Sequence, residues 1–211
     1  MEYELSTILA DVRVILDKNM SGDALAALGD IETLTLDEMI DTKVTDAVRV
    51  VHMAAPYYRL DSLSTFVDST IVWDDLHCGH VVLPDDFMRL VSFKMSDWQR
   101  AVFEAIDVAD GQYIFQGSKY KGIRGTPEKP VVAAVPYADG LALEFFSCRS
   151  DEATIAAATY LPLPAWEGGA IAICRRLYRA AMYMTASLVA SALGATDTAN
   201  TLSEQSKAMM I

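Results

Sequence analysis

The middle of the chain has the sequence Val81-Val82-Leu83-Pro84-Asp85-Asp86-Phe87-Met88-Arg89-Leu90-Val91-Ser92-Phe93-Lys94, a Pro-Asp-Asp corner between two apolar runs. Proline fixes φ and removes a ladder donor, and each aspartate can accept hydrogen bonds from its neighbouring backbone. After the corner, apolar side chains return the chain to a buried surface. The pattern predicts a rigid structural turn formed by Pro84, Asp85, Asp86 and Phe87, although any β domain could use the same strand connection.

Apolar and polar residues alternate on both sides of this corner, and turn residues recur at short intervals. A period of two is typical of half-buried strands. Tyr137-Ala138-Asp139-Gly140 contains an Asp-Gly pair, a strong signal for a β-hairpin. We therefore expect an antiparallel β-sandwich or barrel-like insertion over residues 59–162, with strands at 66–73, 80–83, 90–95, 101–106, 130–136, 141–146 and 154–160.

The N-terminal quarter has the periodicity of two helices. Between Glu4 and Lys18 apolar residues recur every three or four positions, the stripe of an amphipathic helix. A break at residues 19–22 and a short Ala-rich turn follow. Thr35-Leu36-Asp37-Glu38 then has the pattern of a capping box and predicts a second helix that ends before Pro56.

The sequence becomes helical again after a boundary marked by Pro162, Pro164 and the Gly168-Gly169 pair. A helix is predicted at residues 170–193, with Gly194 at the C′ position, and a last helix at 196–209. Helices at both ends of a chain are most economically buried against each other. The expected fold is α+β: a helical bundle domain of residues 1–58 and 163–211, interrupted by the β-rich insertion domain.

The chain is acidic, since its 211 residues include 29 Asp and Glu but only 17 Lys and Arg, for a net charge of −12. This balance argues against a surface that wraps duplex DNA, although DNA can slide past a like-charged wall. Residues 163–211 carry only three acids and four bases. A helix of such low charge needs cover from its own fold or from a neighbouring subunit.

The three cysteines, Cys78, Cys148 and Cys174, are widely spaced and form no CxxC pair. They support neither a disulfide framework nor a zinc ribbon, and a reducing compartment fits them best. The Met-Glu-Tyr-Glu start has neither the basic nor the apolar region of a secretory signal. We expect the protein to stay in the compartment where it is made.

Residues 180–195 are uncharged, which raises the question of a membrane span. A span needs roughly 20 continuous apolar residues, and Arg175, Arg176 and Arg179 interrupt the preceding turn. A buried helix is therefore favoured. Its small side chains would let another helix approach closely, within the subunit or across an interface: Ala180, Ala181, Ala186, Ser187, Ala190 and Ser191.

The residues that could carry catalysis or hold a metal form no complete set. His77-Cys78-Gly79-His80, preceded by Asp74 and Asp75, lacks the second ligand pair of a structural zinc site, so a polar loop tip is favoured over a weak metal site. Adjacent carboxylates, such as Asp85 and Asp86, point to opposite faces of a strand, and we assign them to turn capping. We predict no catalytic residue, no metal and no cofactor.

One basic cluster lies in this acidic chain, at Lys119-Tyr120-Lys121-Gly122-Ile123-Arg124-Gly125-Thr126-Pro127-Glu128-Lys129. Its cations either contact an acidic partner or nucleic acid, or belong to a solvated loop. Two glycines are too few for a loop that cradles phosphates. The candidate interaction residues are Lys119, Lys121, Arg124 and Lys129.

The chain resembles the head-to-tail adaptor proteins of short-tailed bacteriophages, including ring proteins of gut crAss-like phages. The resemblance lies in residues 82–91, a turn containing Trp98, the loop from Gln116-Gly117-Ser118-Lys119-Tyr120 to Arg124-Gly125-Thr126-Pro127, and the strand at 141–146. It concerns turn chemistry and element order over most of the chain, and it includes no catalytic signature.

The resemblance implies a structural virion protein of the neck or tail that is assembled in the host cytoplasm. Such proteins form a homo-oligomeric ring, commonly of twelve copies, that extends the DNA channel below the portal. The implied partners are the portal protein, further copies, and tail or other ring proteins, with DNA passing without sequence-specific binding and no membrane contact. Residues 195–211 would be a portal-docking tail, with Met209, Met210 and Ile211 exposed at its end.

An alternative function is a β-sandwich module with a helical base that binds a carbohydrate or a protein. Trp73, Trp98, Tyr113 and Tyr120 would then form an exposed aromatic platform. Burial of these side chains would argue against this alternative.

Overall fold

The computed structural model describes residues 1–19, 35–74, 77–120, 122–146 and 148–211. It shows a mixed α+β protein with two units, one formed by Met1–Ser62 with Leu163–Ile211 and the other by Leu63–Pro162. Residues 20–22 of the predicted helix break and the Ala-rich turn after them lie outside the described residues. Asp75 and Lys121 lie outside them as well.

Two helices open the first unit, α1 (Leu5–Asn19) and α2 (Leu36–Ala54). The predicted capping box is confirmed at the start of α2. The Glu38 N–H donates to Thr35 Oγ1 at 3.4 Å, and the Thr35 N–H donates to Glu38 Oε2 at 2.8 Å. Because the Glu38 carboxylate accepts from the backbone and the hydroxyl of Thr35, its pKa is lowered.

Two further helices, α4 (Tyr178–Ala192) and α5 (Thr196–Met210), pack with α1 and α2 in one bundle. The uncharged sequence of α4 is buried, as predicted, and Ser206 of α5 approaches closely enough to donate its hydroxyl to the Ala180 carbonyl at 2.7 Å. Gly194 has φ of +79°, the left-handed backbone of a C′ residue. The core of the bundle includes Ile8, Val12, Leu16, Ile40, Val44, Ala181, Ala186, Val189 and Leu202.

A small sheet in the same unit corrects the predicted start of the third long helix. Residues 170–172 form strand β11 (Ala170–Ala172), which pairs with β1 (Glu2–Glu4) and β10 (Trp166–Glu167). Helical structure begins only with a 3-10 turn at Arg175–Leu177, before α4. Ile171 and Ile173 are fully buried while Ala170 and Ala172 are half-buried, so burial alternates along residues 170–173 as in a strand.

The second unit contains two sheets that share one core. Their elements are β2 (Ser64–Thr65), β3 (Ile71–Trp73), β4 (Gly79–Val82), β5 (Phe87–Met95), β6 (Ile106–Asp107), the short helix α3 (Tyr113–Gln116), β7 (Val132–Tyr137), β8 (Gly140–Phe145) and β9 (Ile155–Pro162). One sheet has the order β2-β9-β5 and the other β3-β4-β8-β7-β6. Phe93 of the first sheet and Phe145 of the second are fully buried, with ring centroids 5.9 Å apart. The two sheets form the sandwich-like arrangement that the alternation predicts.

Two of the predicted strands, at 66–73 and 101–106, are largely wrong. A turn closed by the Ser69 N–H and the Phe66 carbonyl at 3.1 Å interrupts the first, so that only β3 remains of it. In the second, Val102 forms an isolated bridge with Phe93, and the short β6 follows. β6 pairs parallel with β7, whereas the other named strand pairs are antiparallel as predicted.

Both predicted tight turns are present in this unit. β7 and β8 form the predicted hairpin, in which Tyr137 pairs with Gly140 and Gly140 has φ of +130°. At the corner, the Phe87 N–H donates to the Pro84 carbonyl at 2.9 Å. The Asp86 carboxylate accepts from the Tyr160 hydroxyl at 2.7 Å and thereby ties the corner to β9, a contact that the sequence pattern did not predict.

The second unit also begins and ends on paired strands. β2 pairs antiparallel with β9, with Ser64 opposite Tyr160 and Thr65 opposite Thr159. The Thr65 hydroxyl donates to the Ala158 carbonyl at 2.8 Å and adds a side-chain contact to this pairing. The chain therefore enters and leaves the unit through neighbouring strands.

Candidate interaction surfaces

The predicted basic residues have different environments. Lys119 and Lys129 are exposed, Arg124 is half-buried, and Lys121 lies outside the described residues. The Lys119 ammonium lies 5.5 Å from the centroid of the exposed Tyr120 ring, within the range of a cation–π contact. Arg124 is therefore the basic residue of this loop that faces the interior of its unit.

The backbone beside Arg124 is held by a buried glutamine. Gln116 is 3% exposed, and its Oε1 accepts from the Gly125 N–H at 2.8 Å while its Nε2 donates to the Gln112 carbonyl at 3.0 Å. A Cβ on Gly125 would lie 3.1 Å from the Val131 nitrogen, so a larger residue would require the neighbouring backbone to shift. The position of Arg124 is thus fixed by its own unit.

Arg124 lines a cleft of about 440 Å³ together with His77, Thr126, Pro127, Glu128, Cys148 and Arg149. Two residues of this cleft are engaged by carboxylates. An Arg149 nitrogen is 2.9 Å from Glu128 Oε1, and His77 Nδ1 is 2.7 Å from Asp151 Oδ1. Arg124 takes part in no ion pair with a described residue, and its Nε and Nη1 atoms are buried without a hydrogen-bond partner. The Asp97 carboxylate, which acts on Cys148 and accepts the Arg149 N–H, brings a negative charge to the same cleft.

The cysteine in this cleft is not an activated nucleophile. Cys148 is 6% exposed, and burial, with the nearby Asp97 carboxylate, raises the pKa of its thiol to about 12. A reactive cysteine needs a lowered pKa, because the thiolate is the attacking species. The Cys148 thiol is therefore kept in its protonated form.

The loop of His77 and His80 does not assemble a ligand set. His77 Nδ1 contacts the Asp151 carboxylate. His80 Nδ1 lies 3.4 Å from Asp74 Oδ2, and the His80 ring stacks on Tyr137. Among the described residues, no group of three or more His, Cys, Asp or Glu side chains is placed to hold a metal ion.

A polar clamp that sequence analysis missed lies on the larger sheet. Both carboxylate oxygens of Glu144 accept a tyrosine hydroxyl at 2.8 Å, from Tyr113 and from Tyr137. Burial and the Glu144 carboxylate raise the pKa of Tyr113 to about 12, and they raise the pKa of Tyr137 as well. The clamp fixes α3 against β7 and β8. No local pattern could have predicted the part of Tyr113, because it lies 31 positions from Glu144.

The predicted aromatic platform is wrong. Trp98 is 3% exposed and packs in the core against Phe93, and Trp73 packs edge-on against Phe145 at 5.4 Å. The Tyr113 hydroxyl donates to the Glu144 carboxylate. Of the four proposed platform residues, Tyr120 is the one with an exposed side chain. Four residues with such different burial cannot form one binding surface, and this argues against the alternative function.

A second feature missed by sequence analysis is a run of exposed apolar side chains at residues 103–123, which we term the apolar arm. The sequence feature that could have indicated this run is the apolar pair Ile114-Phe115 between Gly111 and Gly117. This pair is not part of a repeating pattern of the kind that predicts a strand or a helix. Six large apolar side chains of this segment are 40 to 79% exposed: Phe103, Val108, Ile114, Phe115, Tyr120 and Ile123.

The predicted C-terminal tail is mostly part of the bundle. Met210 is buried, Met209 is half-buried, and Ile211 is exposed. The expectation of an exposed Met210 is wrong because α5 continues to that residue and packs its apolar stripe on the bundle. The Arg59 guanidinium donates to the Ile211 backbone oxygen and holds the last residue against the same unit.

Comparisons with known proteins add no functional assignment. No model of a known protein family matches the chain, and no curated protein matches it. Within the part of the chain that the structure describes, no helix is long and apolar enough to span a membrane.

Proposed function

We propose that this chain is the structural subunit of a phage head-to-tail adaptor, a closed ring of identical copies that lies between the portal and the tail and continues the DNA channel. The observation that carries the proposal is the apolar arm. Its six large apolar side chains are exposed within one segment of an acidic chain. Exposed apolar patches of soluble proteins mark surfaces that a partner covers.

The architecture supports a subunit with several contact surfaces. The terminal helices and the β-rich unit have separate cores, so each unit can hold its own surface rigid. A closed ring needs heterologous contacts, in which two different surfaces of each copy meet around one axis. The bundle unit also exposes large apolar side chains: Val14, Val50, Met53 and Tyr58.

The charge of the chain supports the position on a DNA channel. A net charge of −12 gives a wall that repels phosphate, so DNA can slide past it without being held. The role proposed here is structural, and it includes neither catalysis nor recognition of a DNA sequence.

The mass of the assembly tests this function. The purified full chain is measured by mass photometry, alone and mixed with a portal ring. We expect a ring, commonly of twelve copies, that binds the portal. A chain that stays monomeric in both samples contradicts the proposal.

Two matched variants test whether the apolar arm is an interface. Ile114→Glu places a charge where the neighbouring copy would bury it, and it should lower the ring fraction at least about tenfold, because an unpaired buried charge costs well over 1.4 kcal/mol. Gln99→Glu adds the same charge at an exposed polar position of the same unit, outside residues 103–123, and should assemble like the wild type. Equal assembly of both variants would exclude the arm from the interface.

A further inference from the structure

A groove between α1 and α4 of the helical bundle holds two opposite charges that do not contact each other. Its volume is about 330 Å³, and Asp11 of α1 and Arg179 of α4 both line it. No ion pair joins Arg179 to Asp11 or to another described carboxylate, so more than 4 Å separates the two charged groups. The groove therefore offers a positive and a negative contact to a molecule that lies between them.

The carboxylate of this groove is held in place before any ligand binds. Asp11 Oδ2 accepts the Tyr178 hydroxyl at 2.7 Å, and the Tyr178 ring stacks on Tyr3 with the ring centroids 4.1 Å apart. Burial and the Asp11 carboxylate raise the pKa of Tyr178, so its hydroxyl keeps the proton that it donates. An ionised carboxylate has about four lone-pair positions, so Asp11 can accept further hydrogen bonds. A preorganised acceptor of this kind binds with little loss of conformational freedom.

The rest of the groove is largely apolar. Val14 and Ile15 lie one helical turn after Asp11 and line the groove from α1. Met182 lies one turn after Tyr178 and lines it from α4. Met182 is 2% exposed and Val14 is 51% exposed, so the groove has a buried floor and an open rim. Apolar walls with a few placed polar groups are typical of sites that bind small molecules.

We propose that this groove binds a free α-amino acid with an apolar side chain of about the size of leucine. The ammonium group of the amino acid would donate to the Asp11 carboxylate, and its carboxylate would accept charge-assisted hydrogen bonds from the Arg179 guanidinium. Its side chain would pack on Val14, Ile15 and Met182. The volume of about 330 Å³ is ample for such a molecule.

The charges of the groove favour a ligand with both signs over a simple ion. Among the described residues that line the groove, the charged ones are Asp11 and Arg179, so the lining has no net charge. A simple anion would be repelled by Asp11, and a simple cation would be repelled by Arg179. An α-amino acid pairs with both residues. The site belongs to the bundle unit alone and does not depend on the proposed ring.

The full chain is tested with L-leucine as the probe. The Tm is measured at pH 7 with and without leucine, and we expect leucine to raise it, because a ligand that binds the folded chain stabilises that chain. Three analogues at the same concentration should raise it much less: isocaproate, which lacks the ammonium group, isoamylamine, which lacks the carboxylate, and glycine, which lacks the apolar side chain. No rise with leucine, or an equal rise with any of the analogues, overturns the proposal.

Matched variants assign the binding to the two charges. Arg179→Gln and Asp11→Asn should each weaken the Kd for leucine, measured by isothermal titration calorimetry, at least about tenfold, because each removes one charge-assisted contact. Both side chains are exposed, and the amide oxygen of Asp11→Asn can still accept from Tyr178, so both variants should fold. Arg49→Gln and Asp17→Asn make the same changes at exposed positions of the same unit and should bind like the wild type. Unchanged binding in Arg179→Gln or Asp11→Asn contradicts the proposal.

A measurement on the wild type alone covers the case in which a variant does not fold. In saturation-transfer difference NMR, the methyl groups of leucine should receive magnetisation from the protein, because they pack on the apolar wall of the groove. Adding isocaproate or isoamylamine in equal amount should leave most of this transfer in place. If leucine receives no magnetisation, or if either analogue removes the transfer, the proposal is wrong.

Discussion

At the scale of single residues, His52 gives the helical bundle a response to pH. It is 2% exposed, and its Nε2 accepts the Cys174 N–H at 3.2 Å, which requires a ring without a proton on that nitrogen. Burial, together with the positive N-terminus, lowers the pKa of His52 from 6.5 to about 4, although the Asp61 carboxylate acts in the opposite direction. The folded bundle therefore stabilises the neutral imidazole.

We expect the bundle to lose stability as the pH falls from about 6.5 to about 4, the interval between the unfolded and folded pKa values of His52. In this interval the unfolded chain takes up a proton that the folded chain does not, whereas above it both are neutral. The free energy of unfolding should drop by on the order of 2 kcal/mol between pH 7 and pH 4.5. Urea unfolding at a series of pH values measures this drop.

Two histidine variants assign the pH response to its residue. In His52→Gln, an amide oxygen can still accept from Cys174 but does not titrate, so the dependence should flatten. His77→Gln, at an exposed position, should keep it. If His52→Gln keeps the full dependence, carboxylates and not His52 are responsible.

The residue types in the sequence predicted the basic loop, but they did not predict how much its basic side chains differ in exposure. Lys119 and Arg124 look alike in a charge count, yet one lies in solvent and the other lines a cleft. That difference arises from Gln116 and Val131, which fix the loop through contacts that no local pattern encodes. The pairing of Asp86 with Tyr160 was unpredictable for the same reason, because 74 positions separate the two residues.

At the scale of elements, the capping box sets the start of α2. Thr35→Ala removes the hydroxyl that accepts the Glu38 N–H, so the free energy of unfolding should fall by about 1 kcal/mol. Thr42→Ala is the matched control, because Thr42 lies exposed inside the same helix and should change stability by less than about 0.5 kcal/mol. Thermal unfolding of both variants tests this. Equal losses would show that the cap does not contribute.

Element type was predictable wherever one face of a long segment is buried. The stripes of α1 and α2 and the alternation along β5 and β8 indicated those elements correctly. Short elements were not predictable, because three residues are too few to show a period. The clearest example is β11, whose strand character depends on pairing with β1, more than 160 positions earlier in the chain.

At the scale of the whole molecule, the β-rich unit should fold when it is produced alone as residues 63–162. It has its own core around Phe93 and Phe145, and its first and last strands pair with each other. Far- and near-UV circular dichroism should show cooperative thermal unfolding. Phe93→Ala in the same fragment should abolish it, because the loss of a fully buried ring costs about 3 to 5 kcal/mol. A fragment without near-UV signal contradicts the prediction.

The fold class could be predicted from sequence because composition and periodicity change at the boundaries of the long elements. The candidate sites could not be predicted to the same extent. The apolar arm lies in a segment without a period, and the Arg124 cleft depends on contacts between Gln116, Gly125 and Val131. Surfaces of this kind are defined by exposure, and exposure is known only once the chain has folded.

The pairing of Ser64 with Tyr160 bears on how such a protein can evolve. Because the β-rich unit enters and leaves through neighbouring strands, its two ends stay close together whatever lies between them. An insertion or a deletion inside it therefore changes the entropy of loop closure only slightly, since that entropy varies with the logarithm of loop length. Mutation can thus exchange or enlarge the inserted unit while the terminal helices keep their packing.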